Sequence, residues 1–104
     1  IQKFTPEGVF VSKWGTEGTG DGEFITPNGV AVAADGNVYV TDTGNDRIQK
    51  FTSEGVFVSK WGTEGSGDGE FNWPGGVAVA SDGSVYVADT RNDRIQKFLE
   101  VGSP

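Results

Sequence analysis

The sequence predicts an all-β fold built from two copies of one four-stranded antiparallel unit, and three observations carry that prediction. Sliding the 104-residue chain against itself superposes Ile1 to Arg47 on Ile48 to Arg94, with 38 of 47 positions identical. Within each copy apolar residues recur at a spacing of two, the period of a strand with one buried face, and not at the three-and-four spacing of a helix. Seventeen glycines and four prolines break the chain too often for helices, while three Trp, two Tyr, seven Phe and many valines supply material for a packed core.

Each unit reads as four strands in order. The first two, at 29–33 and 37–41, alternate small or polar residues with valine; the third and fourth, at 48–51 and 56–61, are rich in β-branched and aromatic residues. Asp35-Gly36 and its copy Asp82-Gly83 supply the positive φ of a tight hairpin between the first pair. Glu7-Gly8 and Glu54-Gly55 do the same between the last pair, so successive strands are antiparallel neighbours. The connector 15–24 and its copy are too glycine-rich for a helix and lead to Pro27 or Pro74 just before the next strand.

A period of 40–50 residues made of short strands is the mark of a β-propeller blade. The motifs Pro-x-Gly-Val-Ala-Val, Asp-Gly-x-Val-Tyr-Val, Asp-Thr-x-Asn-Asp-Arg-Ile-Gln-Lys-Phe and Gly-x-Gly-Asp-Gly-Glu-Phe resemble the NHL repeat over nearly the whole chain. That resemblance implies four-stranded blades in a ring, commonly of six. It also implies that the strand of Val30 or Val77 is innermost and that of Val11 or Val58 outermost.

With the strands lettered A to D from the inside, the chain divides into a partial blade C-D at 1–14, a full blade with its connector at 15–61, a partial blade A-B-C with its connector at 62–98, and a tail at 99–104. Isolated blades expose apolar faces and unpaired edges, so two should not stand alone. A-B of one chain complements C-D of the next, a head-to-tail contact that closes into a ring. The expectation is a homotrimer of six blades, with a tetramer of eight or a dimer with an irregular seam as alternatives. Strand C then appears once too often, at 1–4 and again at 95–98, so one copy is expected to be displaced or disordered at each junction. A start at Ile1, without methionine and inside a repeat, predicts a processed product, an excised natural fragment or an engineered chain.

Composition narrows the chemistry. Cysteine is absent, which removes disulfides and thiolate metal sites and leaves the compartment open. Histidine is absent too, removing the usual general base near neutral pH and the commonest zinc ligand. A net charge of −7 opposes a phosphate backbone, so nucleic acid is not an expected partner. No apolar run approaches the length of a membrane helix, and none has the form of a signal peptide, so no membrane partner is expected.

The candidate site residues follow from the repeat. Asp42 with Arg47, and Asp89 with Arg94, flank the B-to-C turn at a spacing that suits structural ion pairs. Asp42, Asn45 and Asp46 cluster oxygens, but without the alternate spacing and central glycine of a calcium loop, so no metal or other cofactor is expected. Gly18, Gly20 and Gly22 lack the following Lys-Ser/Thr and helix of a phosphate loop. Trp14, Trp61, Phe24 and Phe71 repeat in both units and fit packing between blades.

Six of the nine differences between the copies, Thr19/Ser66, Ile25/Asn72, Thr26/Trp73, Asn28/Gly75, Thr41/Ala88 and Gly44/Arg91, fall near the D-to-A or B-to-C connections, on one rim of a ring. Pro6/Ser53, Ala34/Ser81 and Asn37/Ser84 fall at the other. Trp73 and Arg91, the residue types that most often anchor interfaces, with Asn72 and Ile25 beside them, form the candidate rim for a protein or peptide ligand. The leading functional expectation is a non-catalytic, self-assembling scaffold. The alternatives are a propeller enzyme of lyase or hydrolase type with a metal in the central channel, and single-stranded RNA binding on a basic rim. No catalytic residue can be named for the enzyme reading.

Overall fold

The computed structural model describes residues 1–99; the part of the expected tail at 100–104 lies outside them. The strands are β1 (Gln2–Phe4), β2 (Phe10–Lys13), β3 (Thr16–Glu17), β4 (Glu23–Phe24), β5 (Pro27–Val32), β6 (Val38–Asp42), β7 (Arg47–Phe51), β8 (Phe57–Trp61), β9 (Pro74–Val79), β10 (Val85–Asp89) and β11 (Arg94–Phe98). They form a β1-β2 hairpin, a four-stranded sheet in the order β5-β6-β7-β8, and a three-stranded sheet in the order β9-β10-β11. All neighbours in these three sheets are antiparallel.

Local chemistry sets the turns. Gly36 and Gly83 both sit at φ +89°, which a side chain rarely adopts, and they close the β5-β6 and β9-β10 hairpins by donating to Ala33 and Ala80 carbonyls. A single 3-10 turn, Thr43–Asn45 or Thr90–Asn92, links β6 to β7 and β10 to β11. Each ends on an aspartate in the left-handed region, Asp46 at φ 51° and Asp93 at φ 54°; aspartate tolerates that region better than most residues.

Two elements depart from the expected boundaries. The inner strands begin at Pro27 and Pro74 rather than after them, because proline at a strand's first position has no ladder bond to donate. The connector is more ordered than a glycine-rich crossing. β3 and β4 pair in parallel, Thr16 opposite Glu23 and Glu17 opposite Phe24, and the second copy keeps one such bridge, Glu64 to Phe71. The Glu23 carboxylate accepts from Gly20 N–H at 2.8 Å, folding the loop back on itself.

The units pack face to face, with the inner strands β5 and β9 lying against each other. Glycine permits this approach, since a Cβ on Gly29 would stand 2.8 Å from the Gly75 carbonyl oxygen. Between the four- and three-stranded sheets lies a cluster of Tyr39, Ile48, Phe71, Val85 and Val87, with Trp61 and Phe98 at its margin. Phe24, Val38, Val40 and Phe51 form the equivalent cluster toward the β1-β2 hairpin, with Ile1, Trp14 and Phe57 against it. Trp61 meets the Phe98 ring at a centroid distance of 5.4 Å, and Trp14 meets Phe51 at 5.7 Å, so the same aromatic joint is built twice.

Candidate interaction surface

At the turn from β6 to β7 lies a buried carboxylate. Asp42 ends β6 with no exposure and accepts from the Ile25 N–H at 2.8 Å, Asn45 Nδ2 at 2.9 Å, Arg47 Nε at 2.7 Å and Gln49 Nε2 at 3.1 Å. A buried charge is tolerated only when so satisfied. Arg47 spends its other donors on the carbonyls of Thr19, Gly20 and Glu23, and Gln49 also donates to the Glu23 carbonyl. Asn45 donates to the Gly18 carbonyl. The Asp-x-x-Asn-x-Arg-x-Gln spacing thus pins the connector to the B-to-C turn.

The second copy repeats the network around Asp89 with Asn72 N–H, Asn92, Arg94 and Gln96. Burial pushes the Asp89 carboxyl up, but these donated hydrogen bonds outweigh it and hold the group below its ordinary value. The amide groups of Asn45 and Asn92 face these carboxylates as donors, and no group of three or more acidic side chains converges for a cation among the described residues. Gln49 and Gln96 were not singled out by sequence reasoning; a polar residue repeated inside an apolar strand, Ile-Gln-Lys-Phe, was the available signal.

Trp73 is held at φ 57° by its N–H, which donates to Asp46 Oδ1 at 2.7 Å, and the Arg91 guanidinium lies over its ring at 4.8 Å. Arg91 N–H donates to the Asn72 carbonyl, bringing Asn72 beside the pair. Ile25 holds the matching place in the first copy, and there a Cβ at position 44 would stand 2.5 Å from Ile25 Cγ2. The Ile25/Gly44 and Asn72/Arg91 differences are therefore one coupled change. Thr41 is not a rim residue: it lies inside β6 with no exposure, its hydroxyl unpaired, where Ala88 stands in the other copy.

Apolar side chains lie bare at the two ends. Tyr86 and Ile95 are 38% and 66% exposed, whereas their counterparts Tyr39 and Ile48 are 3% and 0%. At the other end Phe4 and Phe10 are exposed, ring against ring at 6.2 Å. Between β8 and β11 lies a groove of about 460 Å³ whose walls include Tyr39, Trp61, Val85, Phe98 and Leu99.

A four-stranded and a three-stranded antiparallel sheet joined face to face, each tied by an Asp-Arg pin on a buried aspartate, define a repeat protein of the propeller type. The NHL repeat model matches residues 24–51 and 71–98, together more than half the chain, and the chain belongs to that family. No curated protein sequence matches it. A solved structure, "Streptogramin B lyase structure", superposes on 98% of the chain with a TM-score of 0.71 and 20% identity. The chain spans 31% of that structure's length, and at this identity the likeness is one of fold.

Proposed function

We propose that the 104-residue chain is a non-catalytic scaffold that assembles with copies of itself, head to tail, into a closed propeller, with the Trp73 rim as a docking platform for a protein or peptide. One observation carries the reading: the same two side chains, tyrosine and isoleucine, are sealed by the next blade in one copy and left bare in the other. Burying one such apolar side chain is worth about 1.5–3 kcal/mol, and the chain's own N-terminal blade is the piece that completes the joint. Three copies give six blades, and each Trp73–Arg91 stack then recurs around one mouth of the ring.

The fold neighbour is named a lyase, which raises an enzyme reading. The strands that would line a central channel do not favour it: β5 is Pro-Asn-Gly-Val-Ala-Val and β9 is Pro-Gly-Gly-Val-Ala-Val, with no carboxylate or imidazole. Light scattering coupled to size exclusion, over a range of concentrations, tests the scaffold reading. It expects a mass near three times 11.0 kDa; a single-chain mass at every concentration overturns it.

A further inference from the structure

A head-to-tail joint brings two copies of strand C to one slot, β11 of one chain and β1 of the next, and the side chains decide between them. β11 is bonded to β10 across five register pairs, Val85 to Asp89 against Arg94 to Phe98. Arg94 donates to Asp89 Oδ2 at 2.8 Å and to the carbonyls of Ser66, Gly67 and Glu70. Gln96 adds bonds to Glu70 and Asp89 and accepts from the Gly69 N–H. β1 repeats Ile95 to Phe98 as Ile1 to Phe4. Among the described residues it pairs only with β2, and a two-stranded hairpin is marginal by itself.

We infer that β1 is a place-holder: on assembly, β2 of each chain leaves its own β1 and becomes the outer strand of the next chain's β9-β10-β11 sheet, with Phe10 filling the groove beside Phe98. This rests on the self-assembly reading and specifies its joint. The occupant is written in the molecule. Inside the chain β8 pairs with β7, Lys50 opposite Ser59 and Phe51 opposite Phe57. One repeat on, Lys97 faces Ser12 and Phe98 faces Phe10. Phe57 packs on the cluster containing Val38 and Phe51, its ring 6.1 Å from Phe51; Val85 and Phe98, the counterparts of those two, line the open groove. Phe10, the counterpart of Phe57, is 52% exposed.

The exchange loses little, because β2 trades one Ile-Gln-Lys-Phe strand for another: Ile1 and Trp14 exchange both backbone bonds, at 2.8 and 3.0 Å, where Ile48 pairs with Trp61 inside the chain. Ile1, which rests against the Phe24 cluster, yields that seat to Ile95 of the other copy, and Tyr86 comes with it. The pairing Lys3 to Ser12 cannot coexist with Lys97 to Ser12, since both use the same edge of β2.

The sequence has no cysteine, so introduced pairs report only their own positions. In Ser12→Cys/Lys97→Cys, oxidised at concentrations where light scattering gives the assembled mass, disulfides should run between chains, giving a ladder of chain multiples on a denaturing, non-reducing gel. In Lys3→Cys/Ser12→Cys, oxidised while dilute, the disulfide should lock β1 onto β2 and reduce the mass to that of one chain, with reduction restoring assembly. An assembled wild type in which the first pair stays unlinked, or the locked second variant stays assembled, overturns the exchange alone. A wild type that remains a single chain at every concentration overturns the assembly reading and the exchange with it.

Discussion

The two copies of the repeat share 38 of 47 residues and almost every local conformation, yet differ sharply in what covers them. Gly8 and Gly55 both sit at φ +88°, and Gly36 and Gly83 both at +89°. Each copy also pairs an aspartate and an arginine across the same turn, at 2.7 and 2.8 Å. Against that sameness, Thr43 Oγ1 donates to the Pro74 carbonyl of the adjoining sheet at 2.7 Å, while Thr90 Oγ1 reaches only its own strand at 3.5 Å. Local structure is written into each unit; burial is a property of the pair of neighbours.

The largest expected break in this comparison is at the buried carboxylates. Asp42→Ala strands Arg47, whose side chain is 9% exposed, and should cost about 3–5 kcal/mol in urea unfolding, the range for breaking a buried pair. Asp89→Ala should cost less, because Arg94 is 29% exposed and can turn to water. Equal losses would show that neighbour burial does not set the difference. Asp89 also predicts a pH dependence. Its carboxyl lies below the ordinary value when folded, so its contribution is present above the unfolded value of about 3.9 and is lost as pH falls through the folded one. Asp89→Asn should flatten that part of the acid limb of a stability-against-pH curve.

The apolar pair comes next. Ile48→Ala should lower the unfolding free energy by about 2–5 kcal/mol, as buried large-to-small changes do. Ile95→Ala, measured where the chain is monomeric, should stay within about 0.5 kcal/mol of wild type, yet reduce the assembled fraction at higher concentration. An Ile95 variant that assembles as wild type would mean that this face is not the joint.

The strand order, both hairpin glycines and the aromatic joints were legible because each follows from residues close in sequence or repeated at a fixed period. The parallel pairing of β3 with β4 was not, since it rests on Glu23 folding a glycine loop back onto itself, a contact without periodicity. On the rim, the Asp-Arg spacing announced the ion pairs, but not that Gln49 and Asn45 would join them to hold the connector. Those partners are 26 or 27 residues away, beyond any local pattern. The stacking of Arg91 on Trp73 was approached only through the differences between copies, which marked both residues without showing that they touch.

A third, smaller test separates conformation from contact at glycine. Gly29 and Gly76 occupy the same place in the two inner strands. A Cβ on Gly29 meets the Gly75 carbonyl oxygen at 2.8 Å, whereas one on Gly76 meets nothing within 4 Å. Gly29→Ala should therefore cost about 1–3 kcal/mol through overpacking. Gly76→Ala should be neutral in the monomer and impair assembly, where its neighbour's inner strand would arrive. Loss of stability at Gly76 in the monomer would mean that the strand itself, not the approach of a neighbour, requires glycine.

The smallest effect is expected on the rim, where the copies differ in their own side chains rather than in their neighbours. Arg91→Ala removes the guanidinium from the Trp73 ring but leaves the backbone bond from residue 91 to the Asn72 carbonyl. An exposed cation–π contact is worth about 0.5–1 kcal/mol, so the urea midpoint should fall slightly and the mass in solution should not change. The stack joins two residues of the same copy, and a shift in oligomer size would place the rim inside the joint instead of above it. If the mass holds while a peptide ligand selected on the wild-type rim loses affinity, the stack is a recognition platform carried by the second copy, which the first, with Thr26 and Gly44 in those places, does not possess.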